Sequence, residues 1–427
     1  MLLPDPRLPS LREAWSPADM TRVLNEQALP ALLPGERCDG VTIVSITYRP
    51  ARMCMVMYAV RLSGSEGRVF VLATFGKPDN IERAYQQHYE GREEMPLRAA
   101  LLRELGCLIE LFPADYLLPA LPGALDAEAA AADLSLPCLS AVEVMHYVPR
   151  RRCLLRYIGD GVELIGKLYA PGPGASRAWA LLRDLDTAQR AGRRLTVAPV
   201  AFLERRDLVV MERSDGAPLH RLLAAAPDGQ AGPAVAQAGA TLAALHALDV
   251  DVAFERSIAQ ELAHTRGRSD RLRLVEPALA GEIDRVLDRV EPLLRAASAA
   301  PSCFVHGDYK LSQVLIDGDR AVALDFDRAA RGDPALDVGN FLADLHRRAL
   351  LAGRDGLRDL AGAFLEAYGA RAEVVGLAER ARLAQIVVLS RMAMSAFRHA
   401  PHQYAESPAT SLSARLLREA QECLATL

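Results

Sequence analysis

The sequence predicts an α+β protein in which two sheet-forming regions precede a long helical region. Residues 41–75 and 141–169 alternate apolar and polar side chains as strands do, whereas most segments after residue 214 follow a helical period. A chain of 427 residues is long enough for two or three domains with their own cores. We therefore expect three successive units, with limits at 1–135, 136–213 and 214–427.

The two sheet-forming regions contain an internal repeat. Tyr48–Tyr58 (YRPARMCMVMY) and Tyr147–Tyr157 (YVPRRRCLLRY) share five of eleven residues. Each copy continues into an apolar strand, and aligning these strands by the prolines that follow them places Thr74 opposite Lys167. The repeat predicts two similar β-rich units in tandem. The alternative is a chance match between two strand–turn–strand segments.

Local signals predict the helices. One helix begins at Pro17, because proline suits the first helical position. Residues 81–112 are predicted to be helical, with charged residues on an outer face, and residues 176–191 form a further helix. The apolar helix at 234–248 carries His246, which we expect to be a buried histidine with its hydrogen bonds satisfied.

Composition excludes several functional classes. The net charge of −4 and the pI of about 6.2 give no basic footprint for nucleic acid. Seven scattered cysteines without a C-x-x-C pair favour a reducing compartment over a disulfide or zinc framework. No apolar run approaches the roughly 20 residues of a membrane span, and we recognise no signal peptide. We expect a soluble cytoplasmic protein without membrane partners.

The stretch 306–344 carries the strongest functional signal. An Asp-Gly turn between two short apolar runs predicts a hairpin. Asp308 precedes the first run and Asp325 follows the second, so the hairpin brings both carboxylates and the amide of Gln313 to one end of a small sheet. Two carboxylates and an amide, with Lys310 beside them, suit a magnesium-nucleotide site, since Mg²⁺ prefers oxygen ligands.

The stretch reads H-G-D-x-x-x-x-Q, a hairpin, L-D-F and G-D-P-x-x-D, in the order and spacing of a family signature H-G-D-x-x-x-x-N, hairpin, I-D-[FW] and G-D-P-x-x-D. The residues that fit it are His306, Gly307, Asp308, Asp325, Phe326, Gly332, Asp333, Pro334 and Asp337. On these residues the chain resembles the aminoglycoside phosphotransferase and choline kinase-like superfamily, whose members are relatives of the protein kinases. It departs at Gln313, where asparagine is usual; maltokinase-like bacterial sugar kinases, which it resembles most in this respect, carry glutamine there.

The resemblance implies a protein kinase-like two-lobed fold, with a small antiparallel sheet lobe and a mostly helical lobe. The first copy of the repeat lacks the lysine and would form an additional N-terminal α/β cap. The implied activity is that of an ATP- and Mg²⁺-dependent kinase that phosphorylates a hydroxyl of a sugar, an amino sugar or an amino alcohol.

The resemblance also implies roles for residues of the loop. Asp308 would orient, and can deprotonate, the acceptor hydroxyl, and Lys310 would neutralise the charge that develops during transfer. Gln313 and Asp325 would hold one or two Mg²⁺ ions. His306 is expected to brace the loop.

Two further acids and one helical stripe have open or supporting roles. Asp337 is expected to accept backbone N–H bonds from the loop, and Asp327 faces either the metal or water. A stripe on a C-terminal helix either lines the acceptor pocket or belongs to ordinary packing. Its members are Arg391, Met394 and Arg398.

The nucleotide would be held by the second sheet. Lys167 is expected to pair with the α- and β-phosphates, and Met211 and Arg213 resemble the hinge that meets the adenine edge. The turn 148–152 would cover the phosphates without a glycine, and Arg151 is its expected phosphate ligand; a solvated turn is the alternative.

The distribution of lysine supports this assignment. Only Lys77, Lys167 and Lys310 are lysines among the 50 basic residues, and two of these three occupy kinase positions. Arginine cannot replace the compact ammonium group of lysine at such positions.

Two other functions stay open. A pseudokinase or regulatory nucleotide-binding protein is favoured by Gln313, by the glycine-free turn and by the helix 176–191, where Asp184 and Asp186 replace the usual glutamate. In a third interpretation, the tandem lobes serve chiefly for protein interaction, and no nucleotide binds.

Overall fold

The computed structural model describes residues 5–65, 67–91, 98–189, 194–225, 231–297, 302–372 and 374–427. Two five-stranded antiparallel sheets come first in the chain, and a helical region with two small sheets follows. The predicted α+β class is confirmed. None of the helices in these described ranges combines the length and apolar character that crossing a membrane requires.

The first sheet and its helices form the N-terminal part of the chain. Its elements are α1 (Leu11–Trp15), α2 (Pro17–Val23), α3 (Leu29–Leu32), β1 (Cys38–Arg49), β2 (Met53–Leu62), β3 (Arg68–Gly76), α4 (Pro78–His88), β4 (Ala99–Leu102), β5 (Cys107–Leu111), α5 (Leu121–Leu125) and α6 (Ala127–Asp133). The strands lie in the order β1-β2-β3-β5-β4. Helix α2 begins at Pro17, as predicted, and the Ser16 hydroxyl caps it by accepting the Asp19 N–H at 3.2 Å.

The second sheet comprises β6 (Ala141–Val148), β7 (Arg152–Gly159), β8 (Val162–Tyr169), β9 (Pro199–Leu203) and β10 (Leu208–Glu212), with α7 (Gly174–Ala188) between β8 and β9. Its strand order, β6-β7-β8-β10-β9, is the order of the first sheet. Thr74 pairs with the third residue of β2 and Lys167 with the third residue of β7, so the two are equivalent in register.

The helical region contains the remaining elements. They are β11 (Ala217–Pro218), α8 (Leu219–Ala225), α9 (Gly232–His246), β12 (Glu255–Arg256), α10 (Ile258–Leu272), α11 (Pro277–Ala296), β13 (Cys303–Val305), β14 (Val314–Asp317), β15 (Arg320–Ala323), β16 (Ala330–Gly332), α12 (Ala335–Ala352), α13 (Gly356–Gly369), α14 (Leu377–His399), α15 (Pro401–Glu406) and α16 (Leu412–Ala425). The core of this region lies between α9, α12, α13 and α14, where Phe341 and Phe364 stack with ring centroids 3.9 Å apart.

Residues 81–112 do not form one helix, contrary to the prediction. Helix α4 ends at His88, and β4 and β5 pair with each other while β5 also pairs with β3. Residues 107–109 are fully buried in the sheet, and this burial outweighs the local helical pattern. Glu93 and Glu94, which we predicted on the outer face of that helix, lie outside the described residues.

Both sheets hold their first hairpin turn with a carboxylate that precedes the sheet. In each copy, one carboxylate oxygen accepts a tyrosine hydroxyl at 2.7 Å and a backbone N–H of the turn at 2.8 Å. The residue that donates the N–H has a positive φ of 58° or 65°. The residues are Asp5, Tyr48 and Ala51 in the first copy and Asp115, Tyr147 and Arg150 in the second. This shared geometry supports the internal repeat, and we propose the domain limits 1–135, 136–213 and 214–427.

Arg150 fastens the second sheet to the first. Its side chain is buried, and its guanidinium contacts Glu110 through both terminal nitrogens, Asp115 Oδ1 at 2.8 Å and Thr74 Oγ1 at 3.1 Å. The ring of Tyr116 lies 3.8 Å from the guanidinium carbon. Arg150 therefore neither covers a phosphate nor belongs to a solvated turn. It fills the place in the first sheet that corresponds to the lysine site of the second.

We expect Arg150→Met to destabilise the protein by about 3–5 kcal/mol, because it leaves two buried carboxylates without their counter-ion. Urea unfolding measures this loss. Arg103→Met is the matched control, since the ion pair of Arg103 with Glu82 is solvent-exposed, and it should cost less than about 1 kcal/mol.

The loss should also depend on pH. Burial raises the pKa of Glu110 even though Arg150 opposes this, so removing the guanidinium raises it further. A carboxyl whose pKa is higher in the folded state favours folding at low pH, and this contribution disappears as pH rises through that pKa. Arg150→Met should therefore cost less at pH 5 than at pH 8. Equal losses at both pH values, or a loss no larger than the control's, would contradict the buried role of Arg150.

Candidate active site

A short hairpin holds the site, as the Asp-Gly turn predicted. Strands β14 and β15 pair around the two-residue turn Gly318–Asp319. At the opposite end, the Leu324 N–H donates to the Gln313 carbonyl at 2.9 Å. Because the loop 306–313 enters this open end and Asp325 leaves it, the hairpin brings the two halves of the motif together.

His306 braces the loop, as predicted. Its Nε2–H donates to the Leu324 carbonyl at 2.8 Å, and its Nδ1 accepts the Asp308 N–H at 3.3 Å. These two partners require the neutral tautomer with its proton on Nε2. The imidazole is fully buried, and it connects the two strands of the motif with both nitrogens engaged.

Asp337, in the first turn of α12, binds the backbone of the same loop. Its two carboxylate oxygens accept the N–H groups of His306 at 2.6 Å and Gly307 at 2.8 Å, which confirms the prediction for this residue. His246 is the buried, satisfied histidine that we expected: Nε2 lies 3.2 Å from Asp337 and Nδ1 lies 2.8 Å from the Tyr368 hydroxyl. Burial alone would raise the pKa of Asp337, but the bond from His246 and the loop donors hold it below its usual range.

Helix α12 supports the loop at two further points. Asn340 Nδ2 donates to the Tyr309 carbonyl at 2.9 Å, and Asp344 Oδ2 accepts the Leu311 N–H at 3.1 Å. Gly307 has a φ of 77°, and a Cβ there would overlap the backbone of Arg328, so this turn requires glycine.

Asp308 and Lys310 form an ion pair at the mouth of the loop. Lys310 Nζ lies 2.6 Å from Asp308 Oδ2, and both side chains are mostly buried. Burial raises the pKa of Asp308, but the charges of Lys310, Arg391 and Arg328 outweigh it and hold this pKa below its usual range. Asp308 is therefore ionised at neutral pH and able to accept a hydrogen bond from a hydroxyl.

Asp325 receives the cations of the second sheet. Lys167 Nζ lies 2.7 Å from both Asp325 Oδ1 and Asp327 Oδ1, and Tyr169 donates its hydroxyl to Asp327 at 2.7 Å. Asp325 has a φ of 64°, a conformation that few residues other than glycine adopt and that often marks functional sites. Although burial opposes it, the charges of Lys167 and Arg152 hold the pKa of Asp325 far below its usual range.

Arg152 is the arginine of the turn 148–152 that reaches the site. It contacts Asp325 at 3.1 Å and Asp327 at 2.5 Å. It begins β7 opposite Tyr169, two residues along β8 from Lys167. Arg151, the expected phosphate ligand, instead lines a pocket on the other side of the turn.

The acids of α7 do not pair with Lys167, whose two carboxylate partners come from the helical region. Asp184 is exposed, and Asp186 lies 3.6 Å from Arg194. Neither Asp184 nor Asp186 is therefore the partner of Lys167.

Met211 and Arg213, the two residues expected at the hinge, have different surroundings. Met211 packs against an apolar cluster formed by Val197, Leu315 and Val322. Arg213 pairs with Glu163 at 3.0 Å and with Asp215 at 2.5 Å.

The oxygen donors of the site fit a magnesium ion that also binds phosphate oxygens. Among the residues that the structure describes, no three His, Cys, Asp or Glu side chains form a metal-binding group. Gln313 Nε2 donates to Asp325 Oδ2 at 3.3 Å, so the amide group of Gln313 lies beside this carboxylate. Mg²⁺ commonly takes one or two carboxylates together with substrate phosphates, and this donor set matches that requirement.

Comparison with solved structures gives distant relatives. A choline/ethanolamine kinase family protein from Mesorhizobium loti is 16% identical over 70% of this chain and 93% of its own, with a TM-score of 0.49. The choline kinase LicA from Streptococcus pneumoniae is 12% identical over 70% and 99%, with a TM-score of 0.47. The aminoglycoside phosphotransferase APH(4)-Ia is 13% identical over 70% and 97%, with a TM-score of 0.49.

One protein family matches more than half of the chain. No curated protein matches the chain. The phosphotransferase enzyme family matches residues 155–385, which is more than half of the chain and includes Lys167, the catalytic-loop motif and Asp325. The chain therefore belongs to the phosphotransferase enzyme family.

Proposed function

We propose that this phosphotransferase is an ATP- and Mg²⁺-dependent kinase that phosphorylates a hydroxyl of a small molecule such as a sugar, an amino sugar or an amino alcohol. One observation carries the proposal: Lys167 and Asp325, 158 residues apart, meet within 2.7 Å beside the loop of Asp308. A cation for phosphates, a carboxylate for metal and a carboxylate for the hydroxyl are the groups that phosphoryl transfer needs.

The nucleotide would lie between the second sheet and the hairpin. The apolar cluster of Val197, Leu315 and Val322, with Met211 beside it, offers a surface for a nucleobase. The backbone after Met211 would meet the base edge, and Arg213 closes this end. Lys167 and Arg152 would bind phosphate oxygens as charge-assisted donors.

Gln313 and Asp325 would hold Mg²⁺, which when bound neutralises phosphate charge and orients the phosphate oxygens. Asp325 is now paired with Arg152 at 3.1 Å, so Arg152 would exchange this carboxylate for a phosphate oxygen. The charge of the site stays balanced in that exchange.

Asp308 would accept the hydrogen bond of the acceptor hydroxyl and take its proton as the new oxygen–phosphorus bond forms. Lys310, 2.6 Å away, would stabilise the negative charge that develops near the transferred group. ADP would leave as the bond between its terminal oxygen and the transferred phosphorus breaks, with Lys167 and Arg152 neutralising its phosphates. His306 takes no part in the proton transfer, because its two nitrogens are engaged.

Two observations favour a regulatory nucleotide-binding protein as the second candidate. The Arg152–Asp325 ion pair blocks the metal carboxylate, and Gln313 stands where the family usually has asparagine. This candidate predicts nucleotide binding without transfer.

Mg-ATP at about 100 times its Kd should stabilise the wild type by about 2.7 kcal/mol in a thermal-shift experiment. Asp325→Asn should lose the Mg²⁺-dependent part of this shift. Because the substitution also breaks an ion pair, the shift on adding nucleotide is compared, and not the melting temperatures themselves. Asp319→Asn, at the exposed tip of the same hairpin, is the matched control. If the wild type shows no shift with millimolar Mg-ATP or Mg-GTP, the proposal is wrong.

Asp308→Asn should retain the Mg-ATP shift while lowering kcat by about 10²–10⁴-fold, because the amide cannot accept the proton. Acceptor-dependent ADP release measures kcat over a panel of hydroxyl compounds. Wild-type binding without any transfer would select the regulatory candidate, and an Asp308→Asn variant as active as the wild type would remove the proposed role of Asp308.

A further inference from the structure

A pocket of about 280 Å³ opens where the two sheets meet the helical region. Seven of its eleven lining residues are arginines, in a protein whose net charge is −4. The arginines are Arg49, Arg52, Arg151, Arg268, Arg271, Arg391 and Arg398.

Four separate elements supply these side chains. The β1–β2 turn of the first sheet and the β6–β7 turn of the second face helices α10 and α14 across the pocket. The first sheet is held there by α14, since Arg398 Nε donates to the Tyr48 carbonyl at 2.9 Å and His399 lies 2.8 Å from the Ile46 carbonyl. The N-terminal cap therefore forms one wall of the pocket.

Apart from Arg391, the arginines of the pocket form no ion pair with a carboxylate of the described residues. In the described part of the chain, none of the arginines except Arg391 has a carboxylate oxygen within 4.0 Å, and the contact of Arg391 Nε with Glu261 is 3.9 Å long. Arg150, which is more deeply buried, is by contrast paired with two carboxylates. Burial and neighbouring guanidiniums lower the pKa of Arg398 to about 10 and also lower that of Arg49.

This arrangement costs free energy in the unliganded protein, because like charges repel and half-buried guanidiniums lose hydration. A solvated surface does not account for it, since Arg49, Arg268, Arg391 and Arg398 are all partly buried. An anion that enters the pocket would remove both costs. Guanidinium groups bind phosphate and carboxylate with paired hydrogen bonds.

Arg391 connects the pocket to the catalytic loop. Its Nη2 donates to Asn340 Oδ1 at 3.0 Å, and Asn340 in turn holds the Tyr309 carbonyl at 2.9 Å. The charge of Arg391 also contributes to the low pKa of Asp308. Two hydrogen bonds therefore connect the pocket to Tyr309, the residue that follows the carboxylate expected to receive the acceptor hydroxyl.

We propose that this pocket is the acceptor site and that the acceptor is a polyanion of sugar size, with a free hydroxyl and at least two negative charges carried by phosphate or carboxylate groups. The inference rests on the proposed kinase function and narrows it. Cationic amino alcohols and amino sugars are disfavoured, because seven guanidiniums repel them. The cap is then a part of substrate recognition, since Arg49 and Arg52 come from it.

Inorganic pyrophosphate without Mg²⁺ is the first probe, measured by titration calorimetry at low salt. Arg268→Gln/Arg271→Gln should weaken its binding by at least about tenfold, or about 1.4 kcal/mol. Arg285→Gln/Arg289→Gln removes the same charge from exposed positions on α11 and should bind as the wild type does. Equal weakening in both double variants, or no binding by the wild type, overturns the inference.

Lys167→Met separates this pocket from the nucleotide site. It should leave the Mg²⁺-free binding of pyrophosphate nearly unchanged. If Lys167→Met abolishes binding while Arg268→Gln/Arg271→Gln does not, pyrophosphate occupies the nucleotide phosphate site, and the inference is wrong.

Transfer from Mg-ATP then distinguishes the chemistry of the acceptor. ADP release is compared for glucose, glucosamine, glucarate, which carries two carboxylates, and glucose 6-phosphate, and the two dianions should give the higher kcat/KM. The better of the two identifies carboxylate or phosphate as the recognised group. Preference for glucose or glucosamine overturns the inference but leaves the kinase function standing. Pyrophosphate binding that maps to the arginines, with no Mg-ATP shift, would instead retain the anion site and remove the kinase function.

Discussion

The ion pair between Lys167 and Asp325 is the contact on which the two-lobed arrangement depends. It joins the middle of the second sheet to the residue that leaves the hairpin, and Arg152 adds a second bridge to the same carboxylate. A mostly buried ammonium group needs such a partner, because desolvation without one is costly. The pair joins the two sides of the cleft. In the proposed complex, Lys167 and Arg152 would bind phosphate oxygens and Asp325 would bind the metal ion. Charge balance therefore holds the lobes together and also defines the site.

The same sheet is used twice, with opposite results. In the second copy, the central strand carries Lys167 and the site opens toward the hairpin. In the first copy, Thr74 takes that position, and Arg150 of the following copy fills the space with its guanidinium bound to Glu110 and Asp115. In the first sheet this position is therefore filled by a protein side chain, while the β1–β2 turn contributes Arg52 to the arginine pocket.

The sequence predicted the features that depend on neighbouring residues. The hairpin follows from its Asp-Gly turn, and the family resemblance of the same short stretch implied that His306 braces the loop and that Asp337 accepts its N–H groups. Arg150 was not predicted, because its partners lie 35 to 76 residues away and are recognised only once both sheets exist. Residues 99–111 carry a helical pattern that pairing with β3 overrides. The arginine pocket draws on four distant elements, and the sequence indicated only its α14 wall, through the stripe of Arg391, Met394 and Arg398.

Three consecutive arginines at the β6–β7 turn point to three different places. Arg150 enters the first sheet, Arg151 lines the pocket, and Arg152 reaches Asp325. Successive side chains in this turn therefore make different contacts, and none of them can replace its neighbour. An insertion or deletion of a single residue here would displace all three side chains from their contacts, whereas most surface loops tolerate such length changes. The length of this turn is thus constrained more strictly than its solvent exposure would indicate, and natural variation should appear there as substitution and not as insertion.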